Sequence, residues 1–222
     1  MDPIHTIALT MGVAWASGIN LYAAVFMLGY LGTTGHIQLP PDLMVLTDPL
    51  VLAAAGFMYC VEFFADKTPG VDTGWDAIHT FIRIPAGAIL AAGAIGDVSP
   101  AAQLAAGLIG GAMATGSHLT KAGSRVLINT SPEPVSNWLA SITEDVAVIA
   151  GLWMALHHPV IFLVLLGLFI LLIIWLLPHL WRGINRLFGF IARLFGKAPG
   201  TTLPPSSSNT SSQRLDHNDS HQ

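Results

Sequence analysis

The residues that could do chemistry in this chain are few, and they interrupt runs that are otherwise apolar. Asp48, Glu62, Glu144 and Asp145 are the acidic ones, and Arg83, Lys121 and Arg125 the basic ones. An ionisable group at bilayer depth costs about 2.5–3.5 kcal/mol on insertion scales, so it faces a partner or a wet cavity. Asp48 and Glu144 each stand several residues inside an apolar stretch, and a pair of buried carboxylates is what proton or cation coupling requires. The alternative reading is that each caps a helix starting after Thr47 or Thr143. Asp145, next in the chain, points elsewhere on its helix. Lys121 and Arg125 lie one helical turn apart and share a face, and Arg83 sits just before Pro85. These are the natural counter-charges of the carboxylates, or the ligands of an anionic group. For Arg125, simple clustering of cations near the cytoplasm is the plainer account.

A second set of polar residues recurs. Ala14-Trp15-Ala16-Ser17-Gly18-Ile19-Asn20-Leu21 aligns with Ala112-Met113-Ala114-Thr115-Gly116-Ser117-His118-Leu119 at an offset of about 98. Leu46-Thr47-Asp48-Pro49 then aligns with Ile142-Thr143-Glu144-Asp145. Both motifs fall near the middle of an apolar stretch, and each Gly is followed within two residues by a polar side chain. A helix broken there would free backbone groups for a ligand. Gly18, Gly107, Gly111 and Gly116 fit packing equally well, Gly107 and Gly111 being a GxxxG pair. On the first reading Ser17, Gly18, Asn20, Thr115, Gly116, Ser117, His118 and Lys121 bind substrate, while Asp48, Glu62, Glu144, Asp145 and Arg83 serve ion coupling.

No other motif carries an activity. Asp66, Asp72 and Asp76 surround the Pro69-Gly70 turn but lack the calcium-loop spacing, and they read as hydration of a connection. The nine histidines form no metal-ligand pattern. No nucleophile–base motif, phosphate loop or dinucleotide fingerprint appears, so neither catalytic residues nor a cofactor is expected. Cys60 stands alone, which excludes an intrachain disulfide.

The elements that must hold these residues follow from composition. Of 222 residues 53% are hydrophobic and 10% charged, and the mean hydropathy is +0.63. That is an all-α integral membrane protein. Six stretches reach spanning length: Pro3 to Leu31, Leu43 to Ala65, Trp75 to Ile95, Ala101 to about Leu127, Asn137 to Leu156 and Pro159 to Trp181. With the N-terminus inside, all nine Lys and Arg fall on the cytoplasmic side, and the connections 32–40, 97–100 and 157–158 carry none. Asp2 and His5 replace the basic start of a signal peptide, so the first stretch is read as a span. Residues 1–181 then form one membrane domain, its repeats running from about 4 to 96 and from 101 to 181. Three spans per repeat makes them inverted, a plan common in secondary transporters. Residues 182–197 alternate apolar and basic in helical register, predicting an amphipathic helix at the cytoplasmic interface. The Ser- and Pro-rich residues 198–222 are expected to be a disordered polar tail.

The run Val61-Glu62-Phe63-Phe64-Ala65-Asp66-Lys67-Thr68-Pro69-Gly70-Val71-Asp72, with Trp75 to Arg83 and Pro85-Ala86-Gly87, resembles a family of bacterial multi-pass membrane proteins known as domain of unknown function 4126. The likeness covers the chain from Met1 to the end of the sixth span. It implies a bacterial inner membrane and no activity.

The expectation is a transporter or permease for a small solute or ion, with both termini cytoplasmic. Its partners are the lipid bilayer and that solute or ion; a homo-oligomer is left open. A net charge of −4 leaves no basic field for nucleic acid. The alternative is a non-transporting scaffold that packs against other proteins through Gly-rich faces.

Overall fold

The computed structural model describes residues 2–68, 70–129 and 134–194. Its elements are α1 (Pro3–Thr33), a short 3-10 helix (Pro41–Thr47), α2 (Pro49–Ala65), α3 (Val71–Ala94), α4 (Pro100–Ile128), α5 (Pro134–His157) and α6 (Pro159–Leu194), with no strand among the described residues. All but α3 begin at a proline, whose missing N–H and fixed φ suit the first helical position. Asp2, Asp48 and Ser99 stand immediately before three of these prolines and accept from the backbone N–H groups of Ile4, Leu50 and Ala102.

α1 is not one straight rod. Asn20 has φ −145° and ψ 95°, an extended conformation inside a run of helix. A straight helix of 31 residues would be about 46 Å long, yet residues 36–38, just past its end, share a pocket with His5 and Leu9 near its beginning. The chain therefore folds back at Asn20 into a helical hairpin. Leu9, Val13, Ala16 and Ile19 of the first limb share one buried cluster with Leu21, Ala24 and Leu28 of the second. Asn20 makes the turn possible. Its side-chain oxygen accepts from Ala23 N–H at 2.9 Å, capping the second limb.

Contacts fix the direction of every other helix. Gly12 meets Ala155 and Phe162, Gly110 meets Ala14, and Gly18 meets Ala114. Hence α4 and α6 run parallel to the first limb of α1, while α3 and α5 run against it. Pro3, the segment around residues 38–41, Ala94 to Val98 and His157 gather at one end of the bundle. The end of α2, the start of α3, the end of α4 and the C-terminal end of α6 lie at the other; there Asn129 binds both Asp72 and Asn137. The beginning of α1 and the end of α6 thus occupy opposite ends, not the same one as expected, because the hairpin supplies an extra reversal. The two motif-bearing helices run parallel, so an inverted repeat does not relate them.

By length and hydropathy α3, α5 and α6 suffice to cross a membrane, α1 does so only when its two limbs are counted together through the break at Asn20, and the 3-10 helix with α2, bent by 68°, makes a fifth candidate. The expected sixth, α4, falls outside this set, and it carries His118, Lys121 and Arg125. They point inward, and the bundle is inside-out relative to a water-soluble one. Phe57, Phe64, Phe81, Ile89, Leu108 and Trp175 are exposed, whereas Glu62, Asp76, Arg83, His118 and Arg125 are fully buried. With lipid outside, burial of oil between helices supplies little drive, so small residues bring the backbones together. Gly87 sits on Ala114 and Ser17, and Gly107 and Gly111 seat α4 on Ala88 of α3. α6 runs without a break through residues 182–194. The side chains of most of that segment, and the tail 198–222, lie outside the described residues.

Candidate functional site

The hairpin apex ends in a buried cluster of charge. Arg83 on α3 pairs with Glu62 of α2 and, at 3.0 Å, with Asp76 one helical face along. Lys121 on α4 lies 2.7 Å from Asp66 and 3.3 Å from Glu62, with Glu144 and Asp76 at 3.6 and 3.8 Å. Arg125 lies 2.7 Å from Glu144 of α5 and 3.8 Å from Asp66. Four carboxylates thus share three cations. Taking one partner from such a buried set strands the others, at a cost of about 3–5 kcal/mol.

The turn at Asn20 connects directly to this network. In an unbroken helix the Ile19 carbonyl would accept from Ala23 N–H, but Asn20 Oδ1 has taken that donor. The freed carbonyl accepts instead from the Lys121 ammonium, at 3.1 Å. The other end of the same amide donates to Asp145 at 2.9 Å. One asparagine therefore breaks the helix, frees a carbonyl for a cation and holds a carboxylate. Asp145 is buried and has no cation within ion-pair distance among the described residues; its Oδ2 has no hydrogen-bond partner.

Two histidines complete the cluster, each in a tautomer fixed by its neighbours. A guanidinium can only donate, so the Arg83 contact to His118 Nδ1 leaves the proton on Nε2, which donates to Thr80 at 2.7 Å. Thr80 in turn donates to the Asp76 carbonyl. His79 donates through Nδ1 to the Trp75 carbonyl and accepts through Nε2 from the Tyr22 hydroxyl. The two rings do not hydrogen-bond each other. A polar ladder continues from Arg125 through the Asn137 carbonyl, the Asn137 side chain and Asn129 to Asp72.

The expected site residues divide accordingly. Asn20, Glu62, Arg83, His118, Lys121, Glu144 and Asp145 come together. Ser17, Gly18 and Ser117 are buried one turn away, where they form the crossing of α1 and α4: Ser117 donates to the Trp15 carbonyl, and a Cβ at Gly18 would collide with the Ala114 carbonyl and the Ser117 hydroxyl. They pack the site without lining it. Thr115 donates to Gly111 of its own helix, and Gly116 faces Ile173 of α6, so neither reaches the cluster. Asp48 is corrected outright. It is exposed and caps α2 at the bend, which is the alternative its sequence context had left open. Glu144 is no cap, since α5 begins ten residues earlier and runs through it.

The sequence reading missed Asp66 and Asp76, which it took as loop hydration, and favoured for Arg125 a cation clustered near the cytoplasm over a counter-charge. The signal was present as a stripe. Asp72, Asp76, His79 and Arg83 recur at helical spacing, as do His118, Lys121 and Arg125, and a polar stripe on an otherwise oily helix marks the face turned away from lipid. Among the described residues no group of His, Cys, Asp and Glu has the arrangement of a metal site.

Neither curated proteins nor solved structures give a match. A family model does, over residues 7–179, a range that takes in the hairpin, the whole charge cluster and most of α6 while leaving out the tail. The chain belongs to the family described as Domain of unknown function (DUF4126).

Proposed function

We propose that this protein moves a small solute or ion across a bacterial inner membrane, coupled to protons or cations through its buried carboxylates. The observation that carries the reading is a broken hairpin whose apex ends on a cluster with more carboxylates than cations. Broken helices are where transporters bind substrate and coupling ions, because unwound backbone offers unpaired carbonyls and N–H groups at depth. In this reading α2 to α6 each cross once, and α1 enters and leaves on one side. The end carrying Lys67 and the C-terminal Arg residues is cytoplasmic by the distribution of positive charge, which puts the start of α1 outside. At that outer end a cavity of about 590 Å³, lined by Thr6, Gln38, Pro40 and Asp97, opens beside the base of the hairpin. The glycines that would serve a scaffold are used inside the molecule, at the seats of α1, α3 and α4.

Cysteine accessibility tests the reading before a substrate is known. His118→Cys and Asp145→Cys, made separately in a Cys60→Ala background, put a small thiol in the cluster itself. Both positions are buried in this conformation. A transporter that opens the apex in turn to each side gives labelling by a membrane-impermeant reagent from both faces, more slowly than at an exposed control such as Met44→Cys. If both stay unlabelled while the control reacts, the apex is sealed and the transport reading fails.

A further inference from the structure

Lys121 is among the most heavily coordinated charges of the described residues. Its side chain is 1% exposed, and oxygens converge on its nitrogen from three helices and the end of α2: Ile19 from the broken α1, Glu62 and Asp66, Asp76 from α3, and Glu144 from α5. An ammonium has three N–H bonds to give, and Asp66, Ile19 and Glu62 take them. The two further carboxylates, at 3.6 and 3.8 Å, are more than it can serve. Oxygens remain idle nearby as well, for Glu62 Oε2, Asp66 Oδ1 and Asp76 Oδ2 are buried with no hydrogen-bond partner. So many oxygens, several of them unpaired, converge on one positive centre that they exceed what a lysine's three N–H bonds can serve.

The position within the fold agrees. The Ile19 carbonyl is at the C-terminal end of a half-helix, the negative end of its dipole and the place where unwound transporter helices hold sodium. We infer that Lys121 is a tethered cation, its ammonium filling a monovalent-cation site that the fold has built around the hairpin apex. Two consequences follow. The wild-type protein needs no free sodium or potassium to hold the apex closed. Removing the ammonium without filling its space creates a cation site in which two guanidiniums, Arg83 and Arg125, face four carboxylates. As a statement about coupling, this rests on the transport reading and narrows the mobile ion at this site to the proton. As a statement about what occupies the cage, it stands without that reading, because binding is measured with no substrate.

The experiment compares thermal unfolding of purified full-length wild type, Lys121→Ala and Lys121→Met in sodium, potassium or choline chloride at equal ionic strength. The alanine variant opens the cage and the methionine variant plugs it with an uncharged chain of similar length. Lys121→Ala is expected to gain about 5 °C in sodium or potassium over choline, the shift that a site well above its Kd would give. Wild type and Lys121→Met are expected to show no difference between the salts. A folded Lys121→Ala indifferent to the cation overturns the inference. So does a wild type that is itself stabilised by sodium or potassium over choline, an outcome readable even if Lys121→Ala does not fold.

Discussion

The two copies of the Ala/Gly motif, residues 14–21 and 112–119, match closely and fold differently. The first breaks and reverses the chain; the second runs through α4 as helix. Both bring small residues to the same crossing, where Gly18 rests on Ala114. The difference arises at the last polar position. Asn20 has a short side chain whose carbonyl reaches Ala23 N–H and caps a new helix. His118 cannot form that cap, and its ring spans to Thr80 and Arg83 on α3, which holds α4 straight against its neighbour. Local sequence similarity thus fixed the packing surface of both copies, while one side chain decided between a rod and a hairpin.

Removing what holds the second copy straight has the largest expected effect. Arg83→Leu deprives His118 of a donor and leaves Glu62 and Asp76 short of their shared cation. A loss of about 3–5 kcal/mol is expected, read as a much lower midpoint of thermal unfolding in detergent or as failure of the variant to accumulate. The paired glycines separate the copies next. In Gly18→Ala the new methyl meets the Ala114 backbone carbonyl, which cannot rotate away, and overpacking of this kind costs about 1–3 kcal/mol. The smallest effect has the opposite sign. A Cβ at Gly116 would stand 3.6 Å from Ile173, an ordinary contact, so Gly116→Ala is expected to be neutral or to stabilise by up to about 1 kcal/mol through helix propensity. Equal losses at both glycines in the same unfolding assay would mean that the copies pack alike and that the contrast drawn between them is wrong.

Much of the architecture was legible in the chain. Apolar runs marked where the helices lie, and the packing alternative for Gly18 describes its place at the crossing of α1 and α4. A break at the first motif was one of two readings of its glycine, but the reversal was not legible, because the residues around Asn20 are as apolar as a continuous span and the turn depends on a single cap. That one reversal moves the beginning of α1 to the other end of the bundle and removes the antiparallel relation on which an inverted repeat depended. Half of the site was legible for a similar reason. Glu62, Arg83, Lys121, Glu144 and Asp145 interrupt oily runs and so announced themselves. Asp66 and Asp76 flank a turn rich in polar residues, where a hydrated loop and a buried ion pair leave the same composition. Asp48 announced itself falsely, since a carboxylate before Pro49 inside an oily stretch reads as buried until the bend at that residue turns it outward.

The account depends most on the reversal at Asn20. Spin labels at His5→Cys and His36→Cys in a Cys60→Ala background, with the protein in lipid nanodiscs, measure it by the distance between them. A folded hairpin puts the two sites at one end of the bundle, within roughly two helix diameters, about 20 Å. A continuous first helix would separate them by about 45 Å, and a distance distribution centred there would contradict the hairpin and the cation cage built on it.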